Sequence, residues 1–184
     1  VLDIMKKPEV IVIDYGVGNL LSVQRGIEQS GSKVILTSDP DEILSANRVV
    51  LPGVGAFSNA MKTLTNLGLV EVLHEIDRIK TPLLGICLWM QLLLEESEEF
   101  GITEGLGLIP GRVIPVPKKM VSGEKQKIPH IGWNALQNFE SNSWKDTLLK
   151  DNSVGDAAYF IHSFMAVPSS SSHRLAECKY GGHN

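Results

Sequence analysis

Four short apolar runs decide most of what this chain can fold into. They are Val10 to Asp14 (VIVID), Lys33 to Thr37 (KVILT), Arg48 to Leu51 (RVVL) and Leu83 to Ile86 (LLGI). The first is a continuous β-branched run, the pattern of a strand buried on both faces of a parallel sheet. Between the runs lie segments with helical apolar spacing: Leu20 to Ser30, closed by Gly31; Pro40 to Ala46; and Ala56 to Leu67 and Leu69 to Ile79, which meet around Asn66 and Gly68. Strand and helix in alternation predict an α/β fold, an open, mostly parallel sheet with helices on both faces and right-handed crossovers. Sites in such sheets form at the carboxyl ends of the strands. Asp14-Tyr15-Gly16, the glycine loop Pro52 to Gly55, and Cys87 all fall there.

From Gly105 the texture changes to short strands and many turns. Strands are expected at Leu108-Ile109, Arg112 to Val116, Pro129 to Asn134, Tyr159 to His162 and Leu175 to Tyr180, with a polar loop from Pro117 to Lys127. The serine run Ser169 to Ser172 reads as an exposed hairpin turn. Antiparallel strands at the edge of a parallel sheet fit this half. At the other end, Val1 to Glu9 shows little pattern, and Met5 looks like a natural start with Val1 to Ile4 as an upstream remnant.

With 184 residues the chain suits a single domain, one that buries roughly 70% of its unfolded surface. A net charge of −4 with both signs interspersed gives no basic face for nucleic acid, so small molecules or proteins are the expected partners. Cys87 and Cys178 stand far apart in unlike contexts, which argues for a reducing compartment rather than a disulfide framework. No C-x-x-C or histidine pair offers a metal site, and no cofactor is implied. With no secretory leader pattern and no long apolar run, no membrane is expected and the location reads as cytoplasmic.

The stretch Pro82 to Glu96, PLLGICLWMQLLLEE, reads as strand, tight turn and helix. A cysteine at that turn lies beside the unsatisfied N–H groups and the positive dipole end of the helix, both of which favour the nucleophilic thiolate. It is the cysteine counterpart of the strained elbow that presents serine in G-x-S-x-G hydrolases. Taken alone, though, a cysteine at a strand end is more often packing than chemistry.

Five motifs in order add to that elbow: Asp14-Tyr15-Gly16-Val17-Gly18-Asn19-Leu20; Leu51-Pro52-Gly53-Val54-Gly55; Gly85-Ile86-Cys87-Leu88 with Met90-Gln91-Leu92-Leu93; Pro129-His130-Ile131-Gly132-Trp133-Asn134; and Tyr159-Phe160-Ile161-His162-Ser163. In this the chain resembles the glutaminase subunits of imidazole glycerol phosphate synthase, within the class I, triad-type glutamine amidotransferase family. The resemblance implies hydrolysis of glutamine through a thioester on Cys87, with ammonia passed to a (β/α)₈-barrel cyclase subunit in histidine biosynthesis. It implies oxyanion donors at Leu88 and at the Gly53-Val54 peptide, where glycine tolerates a flipped backbone. Gly55, Gln91 and the backbone of Ser163 and Phe164 would hold glutamine. Asn19, Ile131, Trp133, Asn134 and Tyr159 would face the cyclase and the ammonia passage. Little turnover is expected from the isolated subunit. Core packing for Ile131 and Trp133, and a satisfied polar network for His130 and His162, are the plain alternatives.

Two departures qualify the resemblance. Trp89 stands where the family usually has glycine, so either the helix start shifts or the indole lies across the site mouth. The family's base and its orienting carboxylate lie in a His-Pro-Glu motif, and none of the five histidines here is followed by proline and glutamate. The expectation is a single amidotransferase domain, residues 1–184, lacking its C-terminal segment, with neither His183 nor His162 as the base. Two other functions fit the same motifs: a paralogue supplying ammonia for surface-sugar amidation, and a non-catalytic binding subunit.

Overall fold

A computed structural model describes residues 7–16, 18–141 and 143–184. The presumed remnant and start at Val1 to Lys6 and Val17 of the first glycine loop lie outside the described residues. The chain forms two compact units, which divide after Ile109.

The first unit alternates as its sequence predicts: β1 (Glu9–Ile13), α1 (Leu20–Gln29), β2 (Lys33–Thr37), α2 (Pro40–Leu44), β3 (Val49–Leu51), α3 (Phe57–Asn66), α4 (Leu69–Arg78), β4 (Leu83–Gly85) and α5 (Leu88–Leu92). The strands pair in parallel in the order β2-β1-β3-β4. Strand alternation divides their side chains between two faces. Val10, Val12 and Val50 point to one face and pack with Leu20, Val23 and Ile27 of α1. Ile11, Ile13, Val49 and Leu51 point to the other and are buried, as are the apolar sides of α3 and α4, Phe57, Leu64, Leu69, Leu73 and Ile76. Burying side chains of this size contributes about 1.5–3 kcal/mol each, so the sheet core is what fixes the strand ends.

Local signals set the element ends. Asp39 caps α2 by accepting from the Asp41 and Glu42 N–H groups, with Pro40 in the first turn, where its missing N–H costs nothing. Gly68, at φ 67°, makes the left-handed joint between α3 and α4 that a side chain would strain. The Glu99 carboxylate accepts from Phe57 N–H at 2.7 Å and so caps α3, directly after the Pro52 to Gly55 loop.

One expectation fails in this unit. The helical pattern after Cys87 predicts helix through Glu96, yet α5 ends at Leu92 and β5 (Leu94–Ser97) follows, antiparallel to β6 (Thr103–Glu104). The carbonyls of Leu92, Leu94 and Glu95 accept from the N–H groups of Leu106, Gly107 and Gly105. The return of a glycine-containing segment thus offers these residues strand partners, and Leu94 is buried. Tertiary pairing overrides helix propensity here.

The second unit contains β7 (Ile109–Pro115), which begins at the boundary, β8 (His130–Ala135), β9 (Gln137–Asn138), β10 (Ala157–His162), β11 (Phe164–Pro168) and β12 (Ala176–Glu177). Its pairings, β8 with β10, β7 with β11 and β9 with β12, are all antiparallel, as the change of texture predicts. The strands expected at 108–109 and 112–116 are one strand, and the strand expected over Leu175 to Tyr180 shrinks to two residues. The serine run is exposed, but it leads into a 3₁₀ turn, Ser171–His173, capped by Ser170, between strands that do not pair with each other.

Candidate active site

The site of the first unit is built where β3 and β4 end side by side. Leu51 pairs with Gly85, and the Ile86 N–H donates to the Leu51 carbonyl at 2.9 Å, so the Pro52 to Gly55 loop and Cys87 leave adjacent strands. Cys87 is exposed and occupies the N-cap of α5 with φ 58° and ψ −116°, a backbone region that costs a non-glycine residue about 1–3 kcal/mol. The strain is held by close packing: a Cβ at Gly85 would come within 2.8 Å of the Met90 nitrogen and of the Trp89 carbonyl group. Only glycine lets the strand and the first turn of α5 approach this closely. Cys87 is thereby held out at the end of the sheet.

Leu88 is the first residue of α5, and its N–H is one of those a helix cannot satisfy internally. Gln91 lies one turn beyond Cys87 and is partly buried, on the same side of the helix by the i, i+4 rule. Gly53 is buried while Val54 is 59% exposed and Gly55 has φ 130°. Asn19 is exposed and caps α1 by accepting from the Ser22 N–H.

Trp89 neither moves the start of α5 away from the cysteine nor covers the cysteine. Its side chain turns inward, fully buried, with its ring edge-on to Tyr15 at 4.5 Å between centroids. A Cβ at Gly53 would overlap both the Tyr15 hydroxyl and the Trp89 Nε1. Burial pushes the Tyr15 phenol above its ordinary value, offset in part by the Trp89 indole and the backbone N–H of Val54, which both face it. None of these approaches reaches full hydrogen-bond geometry, and the Tyr15 hydroxyl and Trp89 Nε1 stay unsatisfied among the described residues.

In the second unit the sequence-predicted residues separate onto the two faces of one ribbon. Trp133 pairs with Tyr159 and Ile131 with Ile161; all four are more than half exposed, Trp133 at 73%. The Trp133 and Tyr159 rings meet edge-on at 5.5 Å. Ile161, which the motifs did not single out, joins this exposed face by strict alternation from Tyr159. Asn134 belongs to the opposite face, where its side chain donates to the Lys179 carbonyl at 2.7 Å and accepts from Ala135 N–H.

On that inner face His162 Nδ1–H donates to the Phe164 carbonyl at 2.8 Å, which leaves Nε2 to accept from His130 Nδ1–H at 3.1 Å. His130 is stacked against Phe160 and Tyr180, and burial, followed by its histidine neighbour, pushes its pKa down. The two histidines thus form a satisfied network. The Ser163 carbonyl accepts from Val116 N–H and the Phe164 carbonyl from His162, so both carbonyls are engaged within the unit. His183 bonds the Lys119 carbonyl through Nε2.

An exposed cysteine on a strained strand-to-helix elbow, beside a glycine loop at the end of a parallel sheet, defines a class of nucleophile-elbow enzymes. Residues 11–181 match the family Glutamine amidotransferase class-I, and the chain belongs to it. It is 51% identical over 174 residues to "Imidazole glycerol phosphate synthase subunit HisH 1" of Legionella pneumophila (strain Lens), covering 94% of this chain and 82% of the relative. It is 43% identical to the HisH subunit of Geobacter sulfurreducens, covering 94% and 81%. Among solved structures, "Crystal structure of glutamine amidotransferase" superposes with a TM-score of 0.68 at 12% identity, over 94% of this chain and 81% of that one. "Structure of PurLQS from Thermotoga maritima" gives 0.64 at 16% identity, over 96% and 77%. At such identities these two structures speak for the fold.

Proposed function

We propose that this chain hydrolyses glutamine at Cys87 and supplies the ammonia to a (β/α)₈-barrel cyclase subunit that makes imidazole glycerol phosphate, in the cytoplasm. The observation that carries the reading is the strained, exposed Cys87 at the N-cap of α5. Its sulfur attacks the glutamine carboxamide carbon, and the oxyanion takes the Leu88 N–H and a second donor from the Gly53-Val54 peptide. The C–N bond then breaks, ammonia leaves, and water hydrolyses the γ-glutamyl thioester to glutamate. Gly55, Gln91 and the backbone of Ser163 and Phe164 are assigned to glutamine binding. No residue of the 184 is assigned the base, since no histidine precedes Pro-Glu.

Among the described residues no helix is long and apolar enough to cross a membrane, and no cluster of three or more acidic, cysteine or histidine side chains could hold a metal. The apolar ribbon face of Ile131, Trp133, Tyr159 and Ile161 is assigned to the cyclase, with Asn19 as a further contact. Asn134 supports the ribbon from behind. The inward turn of Trp89 removes one of the two features that favoured a non-catalytic subunit, the missing His-Pro-Glu motif being the other, and the relatives carry the synthase name rather than that of a surface-sugar enzyme. The test is glutamine turnover by the full-length protein with its cyclase partner, with and without Cys87→Ala. Loss of ammonia release in the variant is expected; equal activity in both overturns the mechanism.

A further inference from the structure

In the second unit, the loop that precedes β8 gathers positive charge that forms no ion pair. Pro117 to Lys127 carries four lysines and one glutamate in a chain whose net charge is −4. The loop folds as a hairpin, with Lys119 and Lys125 paired antiparallel and the Met120 N–H donating to the Glu124 carbonyl at 2.8 Å. Cross-strand partners share a face, and like charges set directly opposite destabilise the pair. The hairpin's own carboxylate, Glu124, accepts from the Ser122 hydroxyl at 3.4 Å, and none of the four lysines makes an ion pair among the described residues. This repelling arrangement is held by bonds from its other side. Gln126, 3% exposed, donates to the Pro117 carbonyl, the Tyr180 hydroxyl to that of Lys127 at 2.7 Å, and His183 Nε2–H to that of Lys119 at 2.8 Å. Val121 N–H donates to the Gly181 carbonyl, and a Cβ at Gly181 would overlap Gln126 Oε1. The same segment supports the apolar ribbon from within: Tyr180 stacks on His130 at 4.0 Å, and the Lys179 carbonyl accepts from Asn134. Since Gln126 turns inward, alternation sends its exposed neighbours Lys125 and Lys127 outward, and Lys119 shares the face of Lys125. Hairpin and ribbon thus rest on one support, residues 179–183, and each turns its exposed side chains away from it.

We propose that Lys119, Lys125 and Lys127 form a basic rim to the cyclase docking face, fitted to an acidic patch on that subunit. The inference rests on the assignment of the Trp133 face to the cyclase. An apolar centre holds such a complex together, whereas charges at its edge act earlier, on the approach. A chain of net negative charge meets an acidic surface slowly unless positive charge is gathered at the point of contact. The clamped backbone keeps the lysines there, so little of it has to be ordered on binding. Lys119 and Lys125 gain most, because a partner carboxylate between them replaces their repulsion by two attractions. Exposed ion pairs contribute little each, so the effect falls on the rate of association rather than on dissociation.

The test is stopped-flow association of the full-length protein with its cyclase subunit, followed through Trp133 fluorescence. It is run at about 0.01 M and 0.15 M salt, between which the Debye length falls from about 30 Å to about 8 Å. The unaltered chain should associate faster at the lower salt. The triple variant Lys119→Gln, Lys125→Gln, Lys127→Gln should associate roughly tenfold more slowly there, lose most of the salt dependence and dissociate at the unaltered rate. A second triple variant, Lys7→Gln, Lys62→Gln, Lys150→Gln, changes the net charge equally and should stay within about twofold of the unaltered chain. The melting temperature of the first variant should not fall, since it relieves a like-charge pair; a fall would mark the lysines as structural and overturn the rim. Equal association rates for the first variant and the unaltered chain, or equal losses in both variants, overturn the rim and leave the docking face standing. Association of the unaltered chain that ignores salt overturns it too, read without any substitution. Loss of binding to a random DNA duplex in the first variant, with cyclase association unchanged, overturns it in favour of nucleic acid. No association of the unaltered chain with the cyclase overturns the docking assignment itself, and the rim with it.

Discussion

The two units bury different things. Among the described residues, all twelve of the largest fully buried side chains lie in the first unit, and eleven of them are aliphatic or phenyl groups with no polar atom. In the second unit, several of the buried side chains are polar: His130 is bonded to His162, Trp144 donates its Nε1–H to the Leu175 carbonyl at 3.1 Å, and Gln126 donates to the Pro117 carbonyl while its Oε1 has no partner among the described residues. Val113 and Val116 are buried there, while four apolar side chains of one ribbon face, Ile131, Trp133, Tyr159 and Ile161, stand in solvent together. An apolar core is insensitive to pH and tolerates local strain, which suits a unit that must hold Cys87 in an unfavourable backbone conformation. A hydrogen-bonded interior frees the apolar residues for another surface. The exception in the first unit, Trp89, carries its one unsatisfied polar atom under the glycine loop.

Substitutions that attack each unit where it is specialised should break this contrast in order of size. Cys87→Ala should lower glutamine turnover with the cyclase by about 10⁴-fold or more and leave thermal unfolding nearly unchanged, checked by ammonia release and calorimetry on one preparation. Gly85→Ala forces a Cβ against backbone atoms of α5 at 2.8 Å, which a side chain rotation cannot relieve. It should destabilise by on the order of 3 kcal/mol, as overpacking does, and abolish Cys87 labelling together with stability. Trp133→Ala removes a ring already 73% exposed. Its stability should change little, while affinity for the cyclase, measured by titration calorimetry, should weaken by about 2 kcal/mol or more if the ribbon centres the interface.

Smaller effects sharpen the same contrast. With its pKa depressed in the folded state, His130 binds fewer protons there than in the unfolded chain. Its stability contribution is therefore complete above the unfolded value of about 6.5 and is lost as pH falls through the folded one. Denaturant midpoints followed through Trp144 or Trp133 should drop on acidification below that point, and His130→Phe should flatten the dependence. At the small end, Gly26 lies inside α1 with open space around its Cβ position. Gly26→Ala should stabilise by about 0.5–1 kcal/mol, read as a higher melting temperature with unchanged turnover.

How much of this was legible in sequence follows from which forces decided each part. Where burial on both faces dictates the pattern, as in Val10 to Ile13, strands and loop positions could be read directly, whereas the sheet order β2-β1-β3-β4 came only with the structure. Gly53 was legible as a loop glycine, but what presses against it was not, because Tyr15 and Trp89 come from elements distant in sequence. The strand Leu94–Ser97 was read as helix since its partners, from Thr103 to Gly107, come from a return that propensity does not encode. The direction of Trp89 was open for the same reason: an indole after the nucleophile suits a blocked mouth or a filled interior equally, and only the space beneath Gly53 decides. Motif matching grouped Asn134 with Ile131, Trp133 and Tyr159, whereas strand alternation sets Asn134 on the opposite face and puts Ile161 beside Tyr159.

The central claim is that the first unit is built to present Cys87 as the nucleophile toward glutamine. Cys178 supplies the internal control, since burial, followed by the adjacent Glu177 charge, pushes its thiol up. The most direct measurement is peptide mass mapping of the full-length protein after limited treatment with the diazoketone glutamine analogue. The account predicts one adduct, on Cys87, suppressed by excess glutamine, with Cys178 unmodified. Labelling of Cys178 at a comparable rate, or labelling of Cys87 that glutamine does not suppress, would contradict it.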